Sequence, residues 1–263
     1  MKRRTFLKTT IAATSLAGLA KAITTKADDG AKPQYYEVRT YTVKSERQQK
    51  LVDNYWRNAA IPALNRLGIR PVGAFVEADA PEVTKIYVLI PYDSLDIFGS
   101  VPGRLAADTE YQNAGTEYFA VPKSDPAYTR FESDLLVAFD GQKKLEVPQA
   151  PSEGKSWLFE LRTYESPSEA KGINKVEMFD HGEVELMHQV NLGPVFFGQA
   201  LVGTQLPKLT YMVSSENADE HKKHWKAFFD APVWKKLLGD PQYRDNVSRV
   251  SNTFLKRTPY SQI

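Results

Sequence analysis

The sequence predicts an α+β fold made of two tandem βαββαβ units of ferredoxin-like order, and three observations predict it. The hexapeptide Tyr36-Glu37-Val38-Arg39-Thr40-Tyr41 returns as Phe159-Glu160-Leu161-Arg162-Thr163-Tyr164. Each copy alternates aromatic or aliphatic residues with Glu, Arg and Tyr, the period-two pattern of a strand whose faces meet different surroundings. The copies then stay in register: 160 − 37 gives 123, 193 − 68 and 198 − 73 both give 125, and 211 − 87 gives 124.

The chain opens on Arg3-Arg4-Thr5-Phe6-Leu7-Lys8, a twin-arginine pattern, followed by a weakly apolar run from Thr9 to Leu19 and by Ala20-Lys21-Ala22, small residues that suit signal peptidase. The run falls short of the ~20 apolar residues that span a bilayer. Residues 1–22 therefore predict a leader handled by the twin-arginine translocase, a periplasmic location and no membrane attachment after cleavage. Residues 23–34, with Asp28-Asp29-Gly30 and Pro33, predict a disordered leash.

The first unit, 35–140, starts with a strand from Tyr36 to Val43. Ser45 with Gln48 supplies a capping box for a helix reaching about Leu67, kinked at Pro62 and ended by Gly68. Val72 to Glu77 and Thr84 to Ile90 predict strands around Asp79-Ala80-Pro81. A poorer helix, Asp93 to Gln112, is expected to break near Gly99 to Gly103, and Arg130 to Phe139 closes the unit as a strand.

Residues 141–155, with two prolines and two glycines, predict a linker. The second unit, 156–263, repeats the order. Trp157 to Glu165 is its strand, Ser168 to Asn191 its helix, Gly193 the cap, and Val195 to Val202 with Leu209 to Ser214 its hairpin. Asn217 and Glu220 cap a helix that breaks at Pro232, and a last strand spans about Val247 to Leu255. Between Asp125-Pro126 and its counterpart Asp240-Pro241 the offset shrinks to 241 − 126 = 115, which places extra residues of the first unit around Ala114 to Lys123, on the rim.

Charge and composition narrow the function classes. The formal charge is +2, but Lys2, Arg3, Arg4, Lys8 and Lys21 all precede the expected cleavage point, so the remainder is near 2 − 5 = −3. Without a basic block, the chain carries no electrostatic footprint for nucleic acid. The absence of cysteine removes disulfides, thiolate metal sites and thiol catalysis together.

The two Glu-(Val/Leu)-Arg-Thr-Tyr openings, Gly193-Pro194-Val195-Phe196-Phe197-Gly198, Leu209-Thr210-Tyr211-Met212, Trp225, Trp234-Lys235 and Tyr260-Ser261-Gln262-Ile263 resemble the NIPSNAP family across essentially all of the expected mature chain. The second unit matches better; the first has Val72-Gly73-Ala74 in place of the Phe-Phe-Gly step. The resemblance implies a dimeric α/β barrel, two ferredoxin-like units packed sheet against sheet, here within one chain. It brings no general catalytic mechanism. A further homodimer is left open.

In such a barrel each sheet turns one face to its helices and the other to the space between sheets. With Phe159, Leu161 and Thr163 on the helix side, Glu160, Arg162 and Tyr164 are expected inside, converging with Glu37, Arg39 and Tyr41. Either each Glu pairs with an Arg as a structural clasp, or an Arg orients a ligand oxygen while a carboxylate moves a proton. Glu183, central to the stripe Ile173, Val176, Phe179, Leu186, Met187 and Val190 and beside Gly182, is expected to pair with a sheet residue or to act as a base.

The candidates for chemistry are thus Glu183, Arg162 and Glu160. Those for ligand contact are Tyr164, Arg39, Glu37, Tyr41, Phe197, Tyr211 and Trp225. His181, Glu185 and His188 share a helical face without a further ligand, and His221 and His224 are assigned to a solvated helix, so no metal is expected. No nucleotide, flavin, haem or Gly-x-Ser-x-Gly serine-hydrolase motif occurs, so those readings lose their usual support and no cofactor is expected. Two functions follow: an exported barrel that binds a small apolar or aromatic molecule, with cofactor-free oxygenase or isomerase chemistry as an extension, or a non-catalytic protein-protein interaction module.

Overall fold

A computed structural model describes residues 30–79, 82, 84–148 and 157–263; the expected leader, the leash up to residue 29, residues 80 and 81 of the expected turn, linker residues 149–155 and residue 156 lie outside the described residues. The fold described below lies within Lys32–Ile263. Its strands are β1 (Tyr35–Thr42), β2 (Gly73–Glu77), β3 (Lys85–Tyr92), β4 (Arg130–Ala138), β5 (Leu158–Glu165), β6 (Pro194–Val202), β7 (Lys208–Ser215) and β8 (Arg249–Arg257).

These eight antiparallel strands close into a barrel in the order β1-β3-β2-β8-β5-β7-β6-β4. Each half contributes four neighbouring strands, β4-β1-β3-β2 and β8-β5-β7-β6, in the same relative order. Two seams join them: Phe75 to Glu77 pair with Arg257 to Leu255, and Leu135 to Ala138 pair with Val202 to Gly198. Closure leaves no open sheet edge.

Helices cover the outside. In the first half, α1 (Glu46–Tyr55) passes through a π-turn, Trp56–Ala60, into α2 (Ile61–Arg66). The Gln48 amide donates to Ser45 Oγ at 3.2 Å, while the Gln48 side-chain oxygen accepts from the Lys44 amide at 2.9 Å, so the cap reaches back as the spacing predicts. Gly68 ends the unit with φ +80°. The equivalent helix of the second half is α6 (Glu169–Met178), a π-turn at Phe179–Glu183 and α7 (Val184–Gln189). The two π-turns are 123 residues apart, the same offset as the strands. A 3.6-residue apolar pattern does not register one widened turn, so the sequence predicts an unbroken second helix and, in the first, only a kink at Pro62, a residue that falls in the first turn of α2 just past the π-turn.

The other helices are α3 (Leu95–Ala106), α4 (Thr109–Ala114), α5 (Thr116–Phe119), α8 (Ala218–Asp230) and α9 (Pro232–Gly239). α3 runs through Gly99 to Gly103, contrary to expectation. The break falls at Asp108, whose carboxylate accepts from the Tyr111 amide at 2.9 Å and starts α4. A capping side chain decides the boundary more strongly than two glycines do. The inserted segment also does more than decorate the rim, because Tyr118 of α5 stacks on Tyr55 at 3.9 Å. Asn217 caps α8 by accepting from the Asp219 and Glu220 amides, both at 3.0 Å.

The barrel interior is apolar and drawn from both halves: Tyr36, Val38, Phe75, Leu136, Phe159, Leu161, Phe196, Met212 and Leu255 form one buried cluster. Tyr36 meets Phe196 at 5.1 Å and Phe75 meets Phe159 at 4.9 Å. Each such side chain contributes about 1.5–3 kcal/mol by leaving water. Ile263 joins this cluster, and the tail before it returns to the first half, where Gln262 exchanges hydrogen bonds with the Val72 backbone and the Tyr260 hydroxyl donates to Asp53.

The strand faces are therefore the reverse of the expected ones. Tyr36, Val38, Phe159 and Leu161 fill the barrel, whereas Glu37, Arg39 and Tyr41, like Glu160, Arg162 and Tyr164, lie under the helices. Alternation fixes that two faces differ but not which one meets the helices. A small closed barrel leaves room inside only for packed side chains, so the apolar parity takes it. The two polar sets consequently do not converge; each sits on the outer face of its own sheet.

Candidate functional site

The Glu160 carboxylate is the hub of the second half. Oε1 accepts from Arg162 Nη1 at 2.6 Å and Asn252 Nδ2 at 2.9 Å; Oε2 meets His221 Nε2 and Trp225 Nε1, both at 2.9 Å. β5 carries Glu160 and Arg162 two residues apart on one face, β8 brings Asn252 alongside in register with Arg162, and α8 lowers His221 and Trp225, one helical turn apart, from above. Burial pushes the Glu160 carboxyl up, but the His221 hydrogen bond, the Arg162 charge and the remaining donors outweigh it and bring it down to about 2. Glu160 is an ionised anchor with its lone pairs committed.

The Arg162 guanidinium lies over two aromatic rings, 4.7 Å from the Trp225 ring centre and 5.5 Å from that of Tyr164. A guanidinium carries five N–H groups. Here Nη1 serves Glu160 and Nη2 serves the Tyr164 hydroxyl at 3.1 Å, while buried Nε has no partner among the described residues. The Tyr164 hydroxyl in turn contacts that of Tyr211 at 3.0 Å.

Between α8 and strands β5 and β8 lies a cleft of about 610 Å³. Leu158, Trp225, Phe229 and Phe254 give it apolar walls, Glu160, Arg162 and His221 form its polar end, and Asp79 and Lys222 also line it. Trp225 and Phe229 stack at 5.4 Å, forming a continuous aromatic surface along α8. Such a mixture of apolar walls and few convergent polar groups is typical of small-molecule sites.

The first half builds the same clasp without the same binding groups. Glu37 accepts from Arg39 Nε at 2.6 Å and Nη2 at 3.0 Å, from the Tyr92 hydroxyl at 2.9 Å and from Ser133 at 2.8 Å. Arg39 lies against Trp56 and Phe131, and Tyr41 packs among Trp56, Tyr128 and Phe131. Pairing of each Glu with the Arg two residues on is thus present twice. Glu37, Arg39 and Tyr41 belong to this filled helix-side core rather than to the α8 cleft.

The remaining candidates separate from the cleft. Phe197 and Tyr211 are wholly buried on the helix side, stacked on one another at 5.4 Å and packed against Phe179. Glu183 pairs with Lys175 of α6, not with a sheet residue, and burial pushes its carboxyl up against the pull of Lys175. The Lys175 ammonium lies over the rings of Phe179, Tyr164 and Trp234. Gly182 offers no approach, since a Cβ there would sit 3.2 Å from Val233 and 3.3 Å from Leu237. Ile173 is half exposed and stands outside the expected stripe. His181 bonds the Tyr243 hydroxyl and His188 bonds Gln142; among the described residues no three His, Cys, Asp or Glu side chains are grouped to hold a metal ion.

His221 and Asn252 are the site residues that sequence reasoning misses. His221 is 5% exposed rather than solvated. The available signal is its position four residues before Trp225, which puts both on one face of α8.

The NIPSNAP family profile matches residues 36–125 and 159–262, which is both repeats and most of the chain. The chain belongs to the NIPSNAP family. No curated protein matches it. Among solved structures, this NIPSNAP chain is similar in fold to proteins named "putative monooxygenase" from Fusobacterium nucleatum (9% identity, 86% of this chain and 93% of that one, TM-score 0.55) and from Lactobacillus acidophilus (10%, 86% and 94%, TM-score 0.55). A NIPSNAP family protein of unknown function from Agrobacterium tumefaciens is similar over 41% of this chain and 93% of its own, at 16% identity and TM-score 0.35.

Proposed function

We propose that this NIPSNAP protein is a fused pair of ferredoxin-like units whose second half binds a small apolar or aromatic molecule in the cleft beneath α8, and that it works in the periplasm after twin-arginine export. The arginine pair at positions 3 and 4 supports export. The observation that carries binding is the cleft of about 610 Å³, with aromatic walls and a guanidinium whose N–H groups are not all spent. A planar ligand lies along Trp225 and Phe229 while an oxygen on it accepts from Arg162.

The same geometry assigns roles. Glu160 anchors Arg162, His221 and Trp225 instead of taking a proton from the ligand, because its carboxylate already accepts from four donors and is ionised far below neutral pH. Any oxygenase or isomerase step therefore draws on Arg162 to stabilise a developing oxyanion, and Glu183 takes no part in it.

The test is titration of the purified full chain with 1-naphthol, followed by Trp fluorescence, beside native mass spectrometry for a retained molecule. Saturable binding that weakens about tenfold or more in Arg162→Ala and in Trp225→Ala is expected, the size of one lost polar or aromatic contact. Binding that is absent, or that is unchanged from the native chain in either variant, overturns the reading. The alternative, an interaction module, is favoured by Phe229, Val233 and Leu238, which stand 49%, 45% and 66% exposed on α8 and α9. It predicts no retained molecule and loss of partner binding in Leu238→Asp.

A further inference from the structure

We propose that Ser215, His221 and Glu160 form a nucleophilic serine site that opens on a second cleft and accepts the acyl group of a small uncharged or cationic ester. Ser215 Oγ lies 3.2 Å from His221 Nδ1, and His221 Nε2 lies 2.9 Å from Glu160 Oε2. The three come from adjoining elements: Ser215 ends β7, Glu160 sits on the neighbouring β5, and His221 is on the first turn of α8 above them. They are 2%, 5% and 1% exposed, so bulk water does not loosen the chain of contacts.

Proton accounting fixes the direction of that chain. An ionised carboxylate only accepts hydrogen bonds, so its contact with Nε2 requires Nε2 to carry the proton. The neutral ring then has its lone pair on Nδ1, and the Ser215 hydroxyl is the donor that meets it. Trp225 Nε1, 3.0 Å from Nε2, delivers its hydrogen to the shared Glu160 oxygen instead. Nucleophile, base and orienting carboxylate stand in the order that acyl transfer needs, with the two ring nitrogens exchanged relative to the commoner arrangement.

Ser215 lines a cleft of about 690 Å³ that Gly193, Ser214 and His224 also line, on the side of α8 toward α7. Glu146, Glu216 and Glu220 line it too, Glu220 with Lys223 as a partner, and this excess of carboxylates disfavours an anionic substrate. In the reaction, the Ser215 hydroxyl proton passes to His221 Nδ1 as Oγ bonds to the ester carbonyl carbon. Collapse breaks the bond to the leaving alcohol, which takes that proton. Water then repeats the sequence, releasing the acid and restoring the hydroxyl.

The test uses the folded full chain with diisopropyl fluorophosphate, read by intact and peptide mass. One phosphoryl adduct on Ser215 is expected, absent in Ser215→Ala and formed about tenfold or more slowly in His221→Gln, the scale of a lost general base. p-Nitrophenyl acetate turnover follows the same order. No adduct, an adduct that survives Ser215→Ala, one indifferent to His221→Gln, or one formed only after unfolding overturns the proposal. Should His221→Gln not fold, Ser215→Cys supplies the readout: its thiol is alkylated by iodoacetamide faster than free cysteine at the same pH, and a slower rate overturns it. Because no ligand of the α8 cleft is present, these results stand apart from the naphthol titration.

Discussion

Glu160 and His221 face each other at 2.9 Å across the joint between a barrel strand and the helix lying on it. The contact ties α8 to the sheet through a charged hydrogen bond, the stronger kind. It also gives the acid limb of stability a specific cause. The Glu160 carboxyl falls from an ordinary 4.5 to about 2 in the folded protein. A lowered carboxyl contributes stability that is fully present above about pH 4.5 and is lost as pH falls through about 2. At one pKa unit per ~1.4 kcal/mol the contribution at neutral pH is roughly 3 kcal/mol. Urea midpoints taken from pH 6 to pH 2 are expected to fall for the native chain, and to fall less over that window in Glu160→Gln, which starts lower.

Lys175 and Glu183 bridge the last turn of α6 to the end of the π-turn that follows it, both buried. Removing one partner strands the other charge, whereas removing both does not. Lys175→Met is expected to cost about 3–5 kcal/mol, and the Lys175→Met, Glu183→Leu double variant to recover most of it. Equilibrium denaturation of the two single variants and the double gives the coupling directly. A loss in the double variant equal to the sum of the two single losses would show that the pair is incidental.

Gly193 holds φ +55° with its α-carbon face against the Ser214 carbonyl, where a Cβ would come within 2.6 Å of the oxygen. Gly193→Ala is expected to destabilise by about 1–3 kcal/mol, through backbone strain and displacement of β7. Gly99→Ala, whose Cβ meets nothing within 4 Å in the middle of α3, is expected to be neutral or mildly stabilising. Their thermal midpoints should move in opposite directions or differ by several degrees.

Much of the architecture is legible in the sequence because it is local. Ser45, Gly68 and Asn217 mark helix ends by cap chemistry, and the repeated hexapeptide marks the opening strands; the expected cap Gly193 lies past the end of α7, where Asn191 at φ +58° takes the left-handed position that Gly68 holds in the first half. The orientation of those strands is not local. Tyr36, Glu37, Val38 and Arg39 alternate identically whether the charges face in or out, and only the volume of a closed barrel decides. His221 is hidden for a related reason: Lys222, Lys223 and exposed neighbours give its stretch a solvated look, and its partners Glu160 and Ser215 come from two other elements. Trp225 and Arg162 are legible as a pair of chemistries but not as a stack, since a helix–sheet contact is required to bring them together.

Val72 and Gln262, 190 positions apart, bond to one another, and β2 finds its second neighbour only in β8. During synthesis from the amino end, the first four strands therefore wait with one flank bare until the final residues emerge. Loop closure over such a span is slow, and an unpaired strand meanwhile invites pairing with another chain. Competition between that late closure and pairing with a second chain is where folding of this architecture is most exposed to aggregation.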